Sequence, residues 1–277
     1  VTRRADLLES IAAHAVVLLA VCFSLYPVLW VVSLAFAGAH QVEPQVLPIP
    51  RDPTLGPLRE VVGATLFGKQ LANSLVVSLA TAVVGVAIAI PTAYAFARFE
   101  FVGRREGMRL LLATQMFPAV ASAVPLFMIL EALELLNTRT GLVLCYASTS
   151  VPFAVFQLRS AFAAIPEDLE EAAMVDGATR FEAFVRVVLP VARPAIAVTF
   201  LFAFMTAYNE FILAATLLDD ESAFTLPVVL QRFIGEYDAR WDLFAAGAIV
   251  VSLPVMLLFY QVQRHMVAGL GSGGVKG

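Results

Sequence analysis

The segment Ile165-Pro-Glu-Asp-Leu-Glu-Glu-Ala-Ala-Met-Val-Asp-Gly-Ala-Thr-Arg-Phe-Glu-Ala-Phe-Val-Arg-Val-Val-Leu-Pro190 decides how this chain is read. It is densely charged, yet residues 140–158 before it carry no Asp, Glu, Lys or Arg, and residues 194–218 after it carry only Glu210. A helix needs about 20 apolar residues to cross the hydrocarbon of a bilayer. Both flanking runs qualify, so the segment is a polar connector between two spans. Its own pattern predicts two short helices. Pro166 suits a first helical turn, and Glu167, Asp168, Glu170 and Glu171 suit the positive end of a helix dipole. Gly177 can take the left-handed conformation that ends the first helix. Thr179 and Glu182 match a capping box for the second. Phe181, Phe184, Val185 and Val188 then fall on one expected apolar face, and Pro190 is expected to stop the helix. Small Ala172 and Ala173 let another surface approach the first helix. The pattern allows two readings, a knob for a partner protein or a helical loop lying at the lipid interface.

Beyond the connector, runs free of charge recur at 10–42, 70–97, 110–130 and 243–263. Of the 277 residues 60% are hydrophobic and 14% charged, with a mean hydropathy of +0.84. Ordinary soluble domains are about 45–50% apolar and about 25% charged. The fold expected is therefore all-α and polytopic, one transmembrane domain over 1–277 with six helices near 13–36, 71–96, 110–131, 141–161, 195–217 and 243–264. A barrel is excluded because the runs are continuous rather than alternating.

Charge placement orients the spans. If the N-terminus is cytoplasmic, twelve of the eighteen Lys and Arg residues share its side, including Arg98, Arg104, Arg105 and Arg109 in the short 97–109 loop. The positive-inside rule then puts both termini, the connector at 162–194 and the tail at 265–277 in the cytoplasm of a multi-pass inner-membrane protein. Arg3 and Arg4 before an apolar stretch, with Ala35-Phe36-Ala37 after it, imitate a cleaved signal, but the stretch exceeds the usual core of about 7–15 residues. It is read as a retained span.

Two outer loops are long, a proline-rich one at 37–70 and an acidic one at 218–242 containing Asp219, Asp220, Glu221, Glu236, Asp238 and Asp242. Pro27, Pro91, Pro118, Pro125, Pro152 and Pro254 lie in spans, where they either kink helices in the ordinary way or bend them round a path. Gly85, Ala89, Ala93 and Ala97 form a small-residue stripe for close helix packing, within the chain or against a partner. Glu210, next to Asn209, is an acid in mid-span; it either braces a helix end or lines a path or gate.

Several chemistries lack candidates. Cys22 and Cys145 lie in apolar runs, and His14, His40 and His265 are too scattered for a metal site. Gly63-Ala-Thr-Leu-Phe-Gly68-Lys69-Gln70 imitates a phosphate loop, but Gln70 stands where Ser or Thr must hold magnesium. No His-Glu-x-x-His or Gly-x-Ser-x-Gly occurs. The chain is read as having no catalytic residue, no metal and no cofactor of its own.

The connector resembles the EAA loop of binding-protein-dependent ABC importer permeases: Glu171-Ala172-Ala173, then Asp176-Gly177, then Leu189-Pro190. Asn73-Ser74-Leu75, Ala93-Tyr94-Ala95-Phe96-Ala97-Arg98-Phe99 and Tyr208-Asn209-Glu210-Phe211 are similar to motifs of carbohydrate-importer permeases, with Tyr208 in place of tryptophan. The tail Gly269-Leu-Gly-Ser-Gly-Gly-Val-Lys-Gly277 is similar to that of maltose-type permeases. The resemblance implies an ABC importer permease fold whose first connector helix is a coupling helix seated in a cytoplasmic ATPase. Glu170, Glu171, Ala172, Ala173, Asp176, Gly177, Leu189 and Pro190 would form the coupling surface, with Glu171 meeting a basic partner. Tyr208, Asn209 and Glu210 would line the substrate path or gate. The implied partners are a second permease subunit in a heterodimer, two ATPase subunits that bind ATP and Mg, and an extracytoplasmic sugar-binding protein touched by the acidic loop. Membrane lipid surrounds the spans, and nucleic acid is not expected. The implied cargo is a di- or oligosaccharide of the maltose or maltodextrin type. The rival from another class is an ion-coupled secondary transporter using Glu210 as proton carrier.

Overall fold

The computed structural model describes residues 2–38, 47–50, 52–235 and 239–271, with side chains at 2–8, 119 and 264–271 left aside. The described residues are helical almost throughout, and an isolated bridge between Ile234 and Ala239 is the one β feature among them. In chain order the helices are α1 (Thr2–Ala35), α2 (Gly56–Gly63), α3 (Phe67–Arg98), α4 (Arg104–Gln115), α5 (Ala119–Ala132), α6 (Arg139–Ala163), α7 (Asp168–Val175), α8 (Arg180–Ala183), α9 (Leu189–Tyr208), α10 (Ile212–Leu217), α11 (Leu226–Arg232) and α12 (Trp241–Gly271). Five described helices are long and apolar enough to cross a membrane, and the count is six if the bent pair α4–α5 is one broken span.

Two compact units share the chain, residues 1–68 with 230–253, and residues 69–229 with 254–277. In the first, Val16, Leu18, Leu19 and Phe23 of α1 are exposed, as an apolar helix bathed in lipid requires. Arg240 bonds both carboxylate oxygens of buried Asp242 at 2.9 Å and reaches Glu60 at 3.3 Å, joining α2 to the start of α12. Asp242 is thus an internal partner rather than a free loop acid.

The second unit has two apolar cores. One gathers Val77, Leu130, Leu142, Tyr146, Leu213, Leu217 and Phe224; the other gathers Ala89, Ala93, Tyr94, Leu158, Phe162, Phe184 and Val188. The small-residue stripe of α3 serves the second core: Ala89 and Ala93 are fully buried, and a Cβ at Gly85 would meet Ser150 Oγ at 3.3 Å. Its packing is within the chain.

Three expectations need correcting. The run at 110–131 is no single helix, because α4 and α5 bend by 101° at a break. Pro118, extended at φ −61°, ψ 130°, caps α5, and it disfavours helix in the residue before it. The run at 195–217 breaks as well, after Tyr208. Pro190, by contrast, stops nothing. Phe184–Val188 form a π-helical turn in which Leu189 N–H donates to the Phe184 carbonyl, and the helix continues as α9. The wider turn takes up the strain that a proline introduces in a regular α-helix.

Candidate functional site: the α6–α9 connector and the broken helices

The connector is a rigid elbow. Helix α7 ends in a complete Schellman arrangement: Ala178 N–H bonds the Ala173 carbonyl at 3.0 Å and Gly177 N–H bonds Met174 at 3.1 Å, with Gly177 at φ 94°. The capping box then forms on both sides, Glu182 N–H donating to Thr179 Oγ1 at 3.2 Å and Thr179 N–H to Glu182 Oε2 at 2.9 Å. The expected face is split, however. Phe184 and Val188 point into the core, whereas Phe181 is 73% exposed and Val185 faces outward with it. Phe181 and Val185, four positions apart, share the outward side, while Phe184 and Val188, also four apart, share the inward one.

Glu170 anchors the elbow. It is 6% exposed, accepts from the Tyr94 hydroxyl at 2.6 Å and from Arg98 Nε at 2.6 Å. Arg98 also donates through Nη2 to the Ile165 carbonyl at 2.7 Å, so a buried ion pair is completed by hydrogen bonds on both partners. Tyr94 packs against Phe99, Phe162 and Phe184, and Arg180 lies 5.3 Å over the Phe99 ring. Glu171, Ala172, Asp176 and Gly177 stay exposed, Ala173 is half-buried, and Leu189 and Pro190 are half-buried in the continuous helix. The eight residues therefore divide: Glu170 faces inward, while Glu171 and Ala172 present a free face. Sequence reasoning quoted Tyr94 and Arg98 but missed their role. The signal available was a lone arginine closing an apolar span opposite a connector rich in carboxylates.

Tyr208, Asn209 and Glu210 sit at the break between α9 and α10. Tyr208 is 1% exposed and stacks on Phe204 with centroids 5.3 Å apart; it lines no open path. Asn209 is exposed and donates through Nδ2 to the Met205 carbonyl at 2.9 Å. Glu210 accepts from Leu213 N–H at 2.9 Å and Ala214 N–H at 3.1 Å. The Asn-Glu pair thus satisfies backbone groups that the break leaves open on each side.

The outer acidic segment is pinned over its first part. Asn73 Nδ2 donates to the Ser222 and Phe224 carbonyls at 2.9 and 3.1 Å, Gln70 to the Glu221 carbonyl at 3.0 Å, and Leu226 N–H to Ser74 Oγ at 2.7 Å. Asn137 accepts from the Asp219 and Asp220 N–H groups. The Ser222 N–H and hydroxyl hold Asp220 below the usual carboxylate range. Gln70, the position that spoiled the imitation phosphate loop, is a structural donor. Glu236, Asp238 and 272–277 of the tail lie outside the described residues. Among the described residues no group of His, Cys, Asp and Glu is arranged to hold a metal.

Comparison with known proteins gives the same frame. The family described as binding-protein-dependent transport system inner membrane component matches residues 85–271. The chain is 38% identical over 261 residues to the trehalose transport system permease protein SugB of Mycobacterium tuberculosis (strain CDC 1551 / Oshkosh), covering 94% of this chain and 95% of that one. It is 36% identical to the sulfoquinovosyl glycerol transport system permease protein SmoH of Agrobacterium fabrum (strain C58 / ATCC 33970), covering 91% and 89%. Among solved structures, a bacterial ABC transporter that imports the acidic polysaccharide alginate aligns over 94% of this chain and 97% of its own, with a TM-score of 0.78 at 25% identity. This chain belongs to the binding-protein-dependent transport system inner membrane component family, and it is a multi-pass membrane subunit of a transporter rather than an enzyme.

Proposed function

We propose that the chain is one of two permease subunits of an ATP-driven importer of a di- or oligosaccharide, of the maltodextrin class or near it. The observation that carries this is the elbow: α7 is clamped to α3 through Glu170, Arg98 and Tyr94 while Glu171 and Ala172 remain free. A rigid knob fixed to three spans, α3 by the clamp and α6 and α9 through the chain, converts a push from outside the membrane into helix movement. Glu171 meets a basic side chain of a cytoplasmic ATPase subunit, which binds ATP and Mg. Both termini and the elbow face the cytoplasm, in keeping with the arginines of 97–109. A sugar-binding protein delivers cargo to the opposite side, and a second, non-identical permease completes the path. The cargoes for which the relatives are named, trehalose, sulfoquinovosyl glycerol and, for the 33% identical protein of Streptococcus pneumoniae (strain ATCC BAA-255 / R6), maltodextrin, all contain a sugar. A proton-carrier role for Glu210 fits poorly with a carboxylate already holding two backbone donors. The test is uptake of radiolabelled trehalose and maltotriose into cells holding the whole transporter. Uptake that survives a protonophore and stops when the ATPase is inactivated is expected; the reverse pattern contradicts the proposal.

A further inference from the structure

The break at Pro118 opens a cleft of about 750 Å³ between α4, α5 and α6, and a second of about 230 Å³ lies between α6 and α9. They share Gln115 and Thr149 and so adjoin. Their sizes fall in the range of ligand pockets, about 300–1,000 Å³, when taken as one groove. The lining mixes hydroxyl, amide, aromatic and aliphatic side chains, Leu110, Leu126 and Ile129 among the last, without a single ionisable one. Thr114, Gln115, Thr149 and Thr206 are exposed, and polar side chains on apolar spans face a water-filled cavity or another protein in preference to hydrocarbon.

The direction of the hydrogen bonds decides what this groove prefers. Thr114, Ser148, Thr149 and Thr199 each donate their hydroxyl proton to a carbonyl of their own helix, at 2.7, 2.7, 3.0 and 2.8 Å. Gln115 donates its amide to the Thr149 carbonyl at 2.9 Å. With their protons engaged, the four hydroxyls present acceptor lone pairs, while Gln115 keeps its carbonyl oxygen and one further N–H. Phe153 and Phe202, edge to face at 6.3 Å, add an apolar surface beside them. Acceptors without a cation suit a partner that donates from many hydroxyls and has C–H faces. They repel a carboxylate, sulfonate or phosphate, which brings only acceptors and negative charge.

We infer that this groove is the chain's own contact with cargo, and that it takes an uncharged saccharide and rejects anionic ones. The inference rests on the permease reading above and moves the substrate path from the Tyr208–Glu210 break to Gln115, Thr149, Phe153, Phe202 and Thr206.

The test has two arms, both on the assembled transporter. With Cys22→Ser as background, Thr149→Cys and Thr206→Cys are exposed to a membrane-impermeant maleimide; labelling is expected, slowed when binding protein loaded with trehalose or maltotriose is present. Labelling no faster than at Phe23→Cys, on the exposed face of α1, places the groove in lipid and overturns the inference. In the second arm, Gln115→Ala lowers uptake of the neutral sugar roughly tenfold, as expected for one lost hydrogen bond to cargo, while the loaded binding protein still stimulates ATP hydrolysis. Uptake confined to an anionic sugar such as sulfoquinovosyl glycerol overturns the assignment and leaves the ATP-driven permease standing. Loss of ATP dependence in the wild-type transporter overturns the permease reading, and the inference with it.

Discussion

Arg98 Nε and Glu170 Oε1 stand 2.6 Å apart, with both side chains almost wholly buried, and this pair fastens the end of α3 to α7. The connector is thereby tied to a span distant in sequence, as well as to α6 and α9 that flank it. Any force on α7 reaches three membrane helices.

Removing one member of that pair should be severe. Glu170→Ala leaves the buried guanidinium only the Ile165 carbonyl and the outlying Glu167 carboxylate at 3.8 Å, so the cost should approach the roughly 3–5 kcal/mol of a broken buried pair. The expected outcome is loss of uptake and a large drop in thermal stability in detergent. Tyr94→Phe removes one hydrogen bond to a charged acceptor and should cost about 1.5–3 kcal/mol. Thermal unfolding that ranks Tyr94→Phe as the more damaging change would contradict the anchoring role of Arg98.

Gly177 holds φ 94° with nothing within 4 Å of an added Cβ, so strain rather than collision is what a side chain would bring. A β-branched residue there is a poor left-handed former. Gly177→Val should insert in the membrane normally yet fail to couple ATP hydrolysis to transport. Wild-type uptake by that variant, with the ATPase co-purifying, would refute the elbow's rigidity.

Glu210→Gln keeps an acceptor for the α10 N–H groups, so uptake should largely persist; Glu210→Ala removes the cap, at a cost of about 0.5–2 kcal/mol. Equal loss of transport in both variants would restore a role for the charge itself.

Gly141 tests the packing of α6 against the loop before it. A Cβ there would fall on the Leu135 carbonyl oxygen, with Leu130 and Thr138 also close. Gly141→Ala should destabilise by about 1–3 kcal/mol, read as a lowered unfolding temperature. An unchanged value would mean the loop yields freely.

What the residues disclosed in advance was local. Helix membership follows from uncharged runs, and the Gly177 turn and Thr179 cap follow from neighbours within four positions. The breaks after Gln115 and Tyr208 were less legible: proline marks both harmless kinks and real interruptions, and no proline marks the second break at all. Pro118 stands at a break, as the N-cap of α5, while Pro152 and Pro254 ride inside α6 and α12. The Tyr94–Arg98–Glu170 cluster joins residues more than seventy positions apart, and no periodicity encodes such a meeting. The faces of Phe181 and Val185 were misassigned for a related reason: which side of this short helix is buried depends on what packs against it, and it is Phe184 that meets Tyr94 of α3 and Phe162 of α6.

Cross-linking from Glu171→Cys on α7 is the most direct trial of the elbow as a transmission part. In native membranes holding the whole transporter, the thiol should bridge to an ATP-hydrolysing subunit, and the yield should change when ATP is added. A thiol that reacts only from outside the cell, or that bridges to no other polypeptide in either condition, would contradict it.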